Sequence, residues 1–167
     1  MAGSIVLIGF MGAGKTTVGK TLADRLSMEF VDTDRMVVER SGRTIADIWR
    51  TDGEEAFRDR EYAAIQAACG IGGRVIATGG GAVLHERNLE MLRAAGPIVY
   101  LQVSLDQVEA RIGAGAGRPL MADRTTAQRE TLLAERAVRY DRIADIAIDT
   151  DDRSPDEVAE LIIEALR

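Results

Sequence analysis

Several residue types are scarce in this chain, and each shortage excludes a class of protein. A single cysteine, Cys69, cannot form an internal disulfide and is typical of proteins in a reducing compartment. The only histidine, His85, has no cysteine or second histidine at zinc-ligand spacing. No apolar run reaches the ~18 residues that span a bilayer, and no basic leader precedes an apolar run. We therefore expect a cytoplasmic protein with no disulfide, no zinc site and no membrane partner.

Aromatic residues and positive charge are also scarce. Aromatic residues make up 4% of the 167 residues and hydrophobic residues 46%, so the predicted core is aliphatic. The formal net charge is −6 at pH 7, whereas a nucleic-acid-binding domain usually has a basic face with stacking aromatics. We expect no nucleic-acid partner, and arginines that act locally on particular anionic groups. The length suits a single domain with one sizeable core.

A glycine-rich segment with a lysine follows the first predicted strand. Residues 5–8 are four consecutive branched apolar residues, which is typical of a strand buried on both faces. Residues 9–16 fit G-x-x-x-x-G-K-[ST], and a helical pattern follows from Thr17 to Leu26. In this context the segment predicts a phosphate-binding loop, and a chance glycine-rich turn that contains Lys-Thr is the alternative.

The predicted loop would bind the phosphates of a nucleoside triphosphate. Its backbone N–H groups and the N-terminus of the following helix would face the phosphate oxygens. Lys15 would bridge the β- and γ-phosphates, and the Thr16 hydroxyl would ligate Mg²⁺. The predicted nucleotide ligands in the loop are Gly12, Ala13, Gly14, Lys15, Thr16 and Thr17.

Predicted strands alternate with predicted helices along the whole chain. The strands cover residues 5–8, 29–32, 74–78, 98–103 and 146–148. The helices cover residues 17–26, 35–39, 45–50, 86–94, 106–112 and 125–142, with a longer helix between Gly53 and about Cys69 and a last helix that begins at Ser154 and Pro155. This alternation predicts an α/β fold with a parallel sheet covered on both faces. In such sheets, ligands bind at the carboxyl ends of the strands.

Two acidic residues follow the second strand. Asp32 and Asp34 lie two positions apart, so strand alternation directs both side chains to one side. Asp32 could hold Mg²⁺ through water, and Asp34 could accept a hydrogen bond from an attacking hydroxyl. A solvated acidic turn is the alternative interpretation.

An arginine and a glutamate share one face of the helix after Gly53. Glu61 follows Arg58 by three residues, so its carboxylate can hold the guanidinium in one orientation. A planar guanidinium suits bidentate capture of a carboxylate. A surface ion pair is the alternative interpretation.

Two glycine-rich stretches remain. Gly79, Gly80 and Gly81 end the third strand, where they permit either close approach to a ligand or a tight turn. Residues 113–124 combine alternating glycines with Arg118, which predicts a lid that excludes water when it closes. Arg118 would then stabilise charge on the transferring phosphate, unless the stretch is only a surface connection.

In this order, the motifs make nearly all of the chain resemble the shikimate kinases. The resemblance rests on residues 9–17, Asp32 to Asp34, Gly53-Glu54 through Phe57-Arg58 to Glu61, Thr78 to Gly81, Arg118 to Leu120, and Arg136 four residues before Tyr140. It implies a three-layer P-loop kinase fold with a five-stranded parallel sheet in the order 2-3-1-4-5. It also implies a monomeric enzyme that transfers the γ-phosphate of ATP, with Mg²⁺, to the 3-hydroxyl of shikimate on the route to chorismate.

The resemblance also implies roles for individual residues. Lys15, Asp34 and Arg118 would be catalytic, residues 33–61 would form the substrate-binding region, and residues 113–124 the lid. The implied shikimate ligands are Asp34, Arg58, Gly79, Gly80, Gly81 and Arg136, the implied metal ligands are Thr16 and Asp32, and the implied contacts beyond the phosphate loop for ATP are Arg111, Arg118, Arg153 and Pro155.

One departure from the family pattern leaves an alternative open. The family usually has proline and leucine just before the tyrosine, whereas this chain has Val138 and Arg139, so Arg139 competes with Arg136 for the carboxylate. Two other functions also stay open. A kinase of another small hydroxy acid, such as gluconate, would share the fold and the carboxylate-directed arginines, but the triple glycine and the G-E-x-x-F-R run favour shikimate. A nucleotide switch would usually carry the N-K-x-D and D-x-x-G motifs that this chain lacks.

Overall fold

A computed structural model describes residues 3–112 and 124–167 of the chain. Five parallel strands form one sheet in the order β2-β3-β1-β4-β5, which confirms the predicted order. The strands are β1 (Ile5–Ile8), β2 (Glu29–Asp32), β3 (Arg74–Ala77), β4 (Ile98–Gln102) and β5 (Ile146–Asp149). The helices in the described residues are α1 (Lys15–Leu26), α2 (Thr33–Ser41), α3 (Ile45–Cys69), α4 (Glu86–Ala95), α5 (Leu105–Ile112), α6 (Thr126–Ile143) and α7 (Pro155–Ala165). Arg118 and nearly all of the predicted lid lie outside the described residues.

Strand β1 lies at the centre of the sheet because all four of its residues are apolar. It pairs with β3 on one side and β4 on the other, and every residue of Ile5–Ile8 is buried. Helices α1 and α7 pack against each other, α1 also against β2 and β3, and α7 against β5. Helices α3, α4 and α6 contact β3, β1 and β4, respectively. The two groups of helices cover both faces of the sheet, as buried parallel strands require.

Helix α3 is interrupted where the sequence predicts a boundary between two helices. Gly53 has φ 86° and ψ 176°, a non-helical conformation that residues with a Cβ rarely adopt. The helix before the kink begins at Ile45, and the helix after it carries Arg58 and Glu61. The kink therefore sets the direction from which these two side chains approach the sheet.

Helix α2 starts earlier than predicted. The sequence predicts a helix from residue 35, but α2 begins at Thr33, directly after β2. Asp32 causes the early start because its carboxylate accepts hydrogen bonds from the backbone N–H groups of Asp34 and Arg35. A short 3₁₀ turn, Ala82–Leu84, follows the three glycines and was not predicted. In the described residues, no helix is both long enough and apolar enough to cross a membrane.

Candidate active site

The phosphate loop has the backbone geometry of an anion site. Gly12 and Gly14 have φ values of 78° and 90°, which only glycine adopts at low cost. Gly14 is the N-cap of α1 and provides no side-chain cap. The first N–H groups of the helix therefore have no capping side chain, and they add the positive end of the helix dipole to the site.

Lys15 reaches back over this loop. Its ammonium group donates to the carbonyl oxygens of Gly9 at 2.7 Å and Phe10 at 2.9 Å. These contacts hold the positive charge beside the loop rather than in bulk solvent. The lysine can therefore reach a phosphate group that binds against the backbone N–H groups.

Thr16 and Asp32 meet at the end of β2. The Thr16 hydroxyl donates to Asp32 Oδ2 at 2.8 Å, while Asp32 Oδ1 accepts from the backbone of α2. Among the described residues, no group of three or more His, Cys, Asp and Glu side chains could hold a metal ion. One hydroxyl and one carboxylate nevertheless fit Mg²⁺, which usually takes one or two protein oxygens and completes its shell with water and phosphate.

Side chains approach the positions where Cβ atoms of the three glycines after β3 would lie, most closely at Gly79. None of these three glycines has a positive φ, so their backbone conformation does not require glycine. A Cβ on Gly79 would lie 2.6 Å from Asp34 Oδ1 and 3.3 Å from Glu61 Oε1. The two carboxylates therefore converge on the backbone of residue 79.

Arginines approach the next two glycines. A Cβ on Gly81 would lie 3.1 Å from Nη2 of Arg58, 3.2 Å from its Nη1 and 3.5 Å from Nη1 of Arg136. A Cβ on Gly80 would lie 3.7 Å from Arg136 Nη1 and 3.4 Å from the Tyr140 hydroxyl. That hydroxyl donates to the Gly80 carbonyl at 2.5 Å, which fixes the turn from α6. Two guanidinium groups thus reach one side of the glycine turn.

Arg58 is held by two carboxylates and two aromatic rings. Its Nη1 donates to both carboxylate oxygens of Glu61 at 3.0 and 3.1 Å, and the Glu61 side chain is 1% exposed. A single oxygen of Glu54 accepts from Nε and Nη2 at 3.4 and 3.3 Å. The guanidinium carbon lies 5.6 Å from the Trp49 ring centroid and 5.2 Å from that of Phe57. The arginine is therefore pre-oriented before any ligand binds.

Burial changes the acid–base properties of the groups around the arginines. Burial raises the pKa of Glu61, although the charge of Arg58 and its hydrogen bond lower it in part. Burial also raises the pKa of Tyr140, so its hydroxyl keeps the proton that it donates to Gly80. The pKa of His85 is lowered by burial and by nearby arginines, so this residue is neutral at pH 7.

The phosphate loop, the glycine turn and the two arginines line one cavity of about 700 Å³. The phosphate loop forms one wall, and the glycine turn with Arg58 and Arg136 forms another. The lining residues are Phe10, Met11, Gly12, Gly14, Lys15, Thr16, Thr17, Asp32, Asp34, Arg35, Val38, Thr44, Ile45, Ala46, Trp49, Phe57, Arg58, Glu61, Thr78, Gly79, Gly80, Gly81 and Arg136. The cavity can hold a phosphate donor and a small anionic acceptor side by side.

Known proteins of one family match almost the whole chain. The family model for shikimate kinase matches residues 11–167. A shikimate kinase from Moorella thermoacetica is 46% identical over 167 residues, which cover 100% of this chain and 96% of the relative. One from Pseudomonas aeruginosa is 41% identical over 165 residues, which cover 98% and 96%. The chain belongs to the shikimate kinase family. It is therefore a small-molecule kinase with ATP as its substrate.

Solved structures agree with membership of the shikimate kinase family. The shikimate kinase from Acinetobacter baumannii, solved in complex with shikimate, has a TM-score of 0.92 and 33% identity, and the match covers 99% of this chain and 93% of that chain. A sugar kinase from Janibacter is only 18% identical, with a TM-score of 0.61, and its likeness shows the fold alone. The comparisons therefore favour shikimate kinase over a kinase of another hydroxy acid.

Arg136 and Arg139 occupy different surroundings in this shikimate kinase family member. Arg136 lines the cavity and lies beside the glycine turn, whereas Arg139 is exposed on α6. Residues three apart are offset by only about 60° around a helix, so spacing alone does not separate the two arginines, and the packing of α6 decides which one faces the cavity. Tyr140 follows Arg136 by four residues and reaches the same turn, a signal that the sequence contained.

The predicted adenine contacts lie near β5, and none of them lines the cavity of the described residues. Arg111 donates to the carbonyl oxygens of Gly12 at 3.1 Å and Thr150 at 2.8 Å, so it ties the phosphate loop to the end of β5. Arg153 donates to the Asp149 carbonyl at 2.5 Å, and Pro155 is the first residue of α7. Each residue therefore has a structural contact or position that does not require a nucleotide.

The tryptophan in the cavity wall, Trp49, is not among the predicted site residues. Trp49 lines the cavity and its ring centroid lies 5.6 Å from that of Phe57. Its helical spacing predicts an apolar face of α3 but gives no sign that this face borders a cavity. The kink at Gly53 places Trp49 in the cavity wall, because it directs both halves of α3 toward the cavity.

Proposed function

We propose that this cavity binds ATP against the phosphate loop and shikimate against the two arginines, and that the γ-phosphate passes to the 3-hydroxyl of shikimate. Phosphorylation of shikimate is the activity of the family to which the chain belongs. One observation carries the residue assignment: Arg58 and Arg136 converge at the glycine turn, in the same cavity that Lys15 lines.

The arginine side of the cavity suits the carboxylate of shikimate. Planar guanidinium groups form parallel hydrogen bonds with a carboxylate, and two of them fix the orientation of a ring. Asp34 lines the same cavity with its carboxylate beside Gly79, where it can accept a hydrogen bond from the attacking hydroxyl. We assign Gly79, Gly80 and Gly81 as the backbone wall against which the substrate packs.

The loop side of the cavity suits the triphosphate. Lys15 and the N–H groups of Gly12, Ala13, Gly14, Thr16 and Thr17 would bind its oxygens, and Thr16 with Asp32 would hold Mg²⁺. Bound Mg²⁺ neutralises negative charge on the phosphates. The protein groups then have mainly to position the hydroxyl in line with the γ-phosphate, because phosphoryl transfer depends on positioning and charge stabilisation.

Further assignments extend the proposal beyond the cavity. Arg118, outside the described residues, would close over the phosphates and be catalytic, while Arg111, Arg153 and Pro155 would border the adenine. The contact between Arg111 and the Gly12 carbonyl supports a place beside the nucleotide. We also propose a monomer in the cytoplasm, for which the single cysteine is supporting evidence.

A coupled ADP-release assay with Mg²⁺-ATP tests the proposal. Shikimate, quinate and gluconate are compared as acceptors on wild type and Arg58→Ala. We expect shikimate-dependent ADP release and a fall in kcat/KM of at least about thirtyfold in the variant, because a desolvated charge pair loses one partner. The matched control is Arg139→Ala, which removes an exposed arginine of the same charge and should keep wild-type kinetics.

Three results would contradict the proposal in different ways. ADP release with gluconate but not with shikimate would show that the protein is a sugar-acid kinase. If kcat/KM falls in Arg139→Ala but not in Arg136→Ala or Arg58→Ala, then Arg139 binds the carboxylate instead of the two assigned arginines. ATP binding without release for any acceptor removes the kinase assignment altogether.

A further inference from the structure

Two carboxylates contact the guanidinium of Arg58, and they differ in burial and in distance. Glu61 is 1% exposed and places both oxygens 3.0 and 3.1 Å from Nη1. Glu54 is 59% exposed and places one oxygen 3.3 and 3.4 Å from Nη2 and Nε. Charge-assisted hydrogen bonds are usually about 2.7–2.9 Å long. Both pairs are longer than this, but Glu61 is buried and uses both oxygens, so it is the fixed partner of Arg58, and the exposed Glu54 is the weaker one.

The position of Glu54 matters because a guanidinium has two edges that can bind a carboxylate through two parallel hydrogen bonds. The edge formed by Nη1 and Nη2 has Glu61 on Nη1 and faces the space that the absent side chain of Gly81 leaves. The edge formed by Nε and Nη2 is the one that Glu54 contacts with a single oxygen. Because both edges include Nη2, a second carboxylate that binds Arg58 in bidentate form needs the nitrogen that Glu54 contacts at 3.3 Å.

Glu54 can leave this edge without disturbing the fold. It is the first residue after the Gly53 kink, and its side chain makes no buried contact that fixes it. Exposed ion pairs between residues four apart contribute little to stability. Arg58 keeps its orientation meanwhile, because Glu61 and the Trp49 and Phe57 rings still contact it.

We propose that Glu54 is an internal competitor for the substrate carboxylate: it occupies the Nε–Nη2 edge of Arg58 and is displaced when the acid binds. This inference rests on the proposed function, in which Arg58 binds the carboxylate of shikimate. Glu54 thereby lowers the affinity of the site for carboxylates and sets a higher KM. It is a specificity residue that acts through Arg58 and does not touch the reacting atoms.

The test is the direction in which the shikimate KM changes in Glu54→Gln. Competition predicts a KM about two- to fivefold lower than in wild type, with kcat unchanged, because removing an exposed pair releases that much binding free energy. The dissociation constant of shikimate, followed by the fluorescence of Trp49 in the cavity wall, should fall by the same factor. A role for Glu54 in holding Arg58 predicts the opposite, a higher KM.

Two further variants separate local competition from general repulsion. Glu55→Gln removes an exposed charge from the adjacent residue and should leave the KM unchanged. Glu54→Asp keeps the charge but withdraws it by one methylene group from Arg58, so competition predicts a lower KM and simple repulsion predicts the wild-type value. The methyl ester of shikimate has no carboxylate, so its KM should be the same in Glu54→Gln and wild type.

The outcomes also distinguish this inference from the proposed function. If wild type releases no ADP with shikimate, the proposed function fails first. If wild type is active and Glu54→Gln has an equal or higher KM, the function stands and the competitor role is wrong. A lowered KM in Glu55→Gln as well would assign the effect to net charge and would also overturn the inference.

Discussion

Gly79→Ala is the substitution for which the structure makes the sharpest prediction. A Cβ at this position would lie 2.6 Å from Asp34 Oδ1, and ordinary carbon–oxygen contacts begin near 3.4 Å. The carboxylate oxygen would therefore have to retreat by about 0.8 Å. The added methyl would also lie 3.3 Å from Glu61 Oε1, so the retreat toward that side is limited.

The displaced group is the one that we assign to the attacking hydroxyl. A misplacement of about 1 Å near the reacting atoms can lower the rate about 10²-fold. A retreat of 0.8 Å should therefore lower kcat by roughly 10- to 100-fold, which corresponds to about 1.4–2.7 kcal/mol in the activation free energy. Stability should change little, because Asp34 reaches the cavity and can rotate away.

The measurement is kcat at saturating ATP and shikimate, together with the thermal midpoint of the variant. Gly70→Ala is the matched control, because Gly70 has φ −65° at the end of α3, far along the helix from Arg58. A Gly79→Ala enzyme with wild-type kcat would refute the inference that Asp34 must stay in place. A variant that fails to fold would show instead that the glycine is needed for packing.

Two further predictions concern the groups beneath the cavity. Tyr140→Phe removes the donor to the Gly80 carbonyl. The free energy of unfolding, measured in urea, should therefore fall by about 1–2 kcal/mol, and the shikimate KM should rise. Unchanged stability would show that this hydrogen bond makes no net contribution. Burial raises the folded-state pKa of Glu61, so the stability that this group contributes is full below its unfolded pKa of ~4.3 and is lost as pH rises through the folded value. Wild type should therefore lose stability relative to Glu61→Gln as pH rises above ~4.3 in urea titrations, and parallel pH profiles would contradict this.

Local patterns in the sequence were sufficient for the order of the elements and for the phosphate loop. A buried strand, a glycine-rich loop and a helix are adjacent in the chain, so their arrangement depends on short-range geometry. The break at Gly53 was predictable for the same reason, since glycine alone adopts its φ of 86° at low cost. The early start of α2 was missed because a single carboxylate, Asp32, acts there as a cap.

The sequence by itself thus determined the parallel sheet, the phosphate loop and the family resemblance, because these depend on residue order and spacing. Only the tertiary structure showed what surrounds residues 79–81: Asp34, Arg58 and Arg136 arrive there from three different helices, and Asp34 comes within 2.6 Å of where a Cβ on Gly79 would lie. It also placed Arg136 in the cavity and Arg139 outside it. These facts require distances between residues far apart in the chain, which spacing along one helix or strand does not contain.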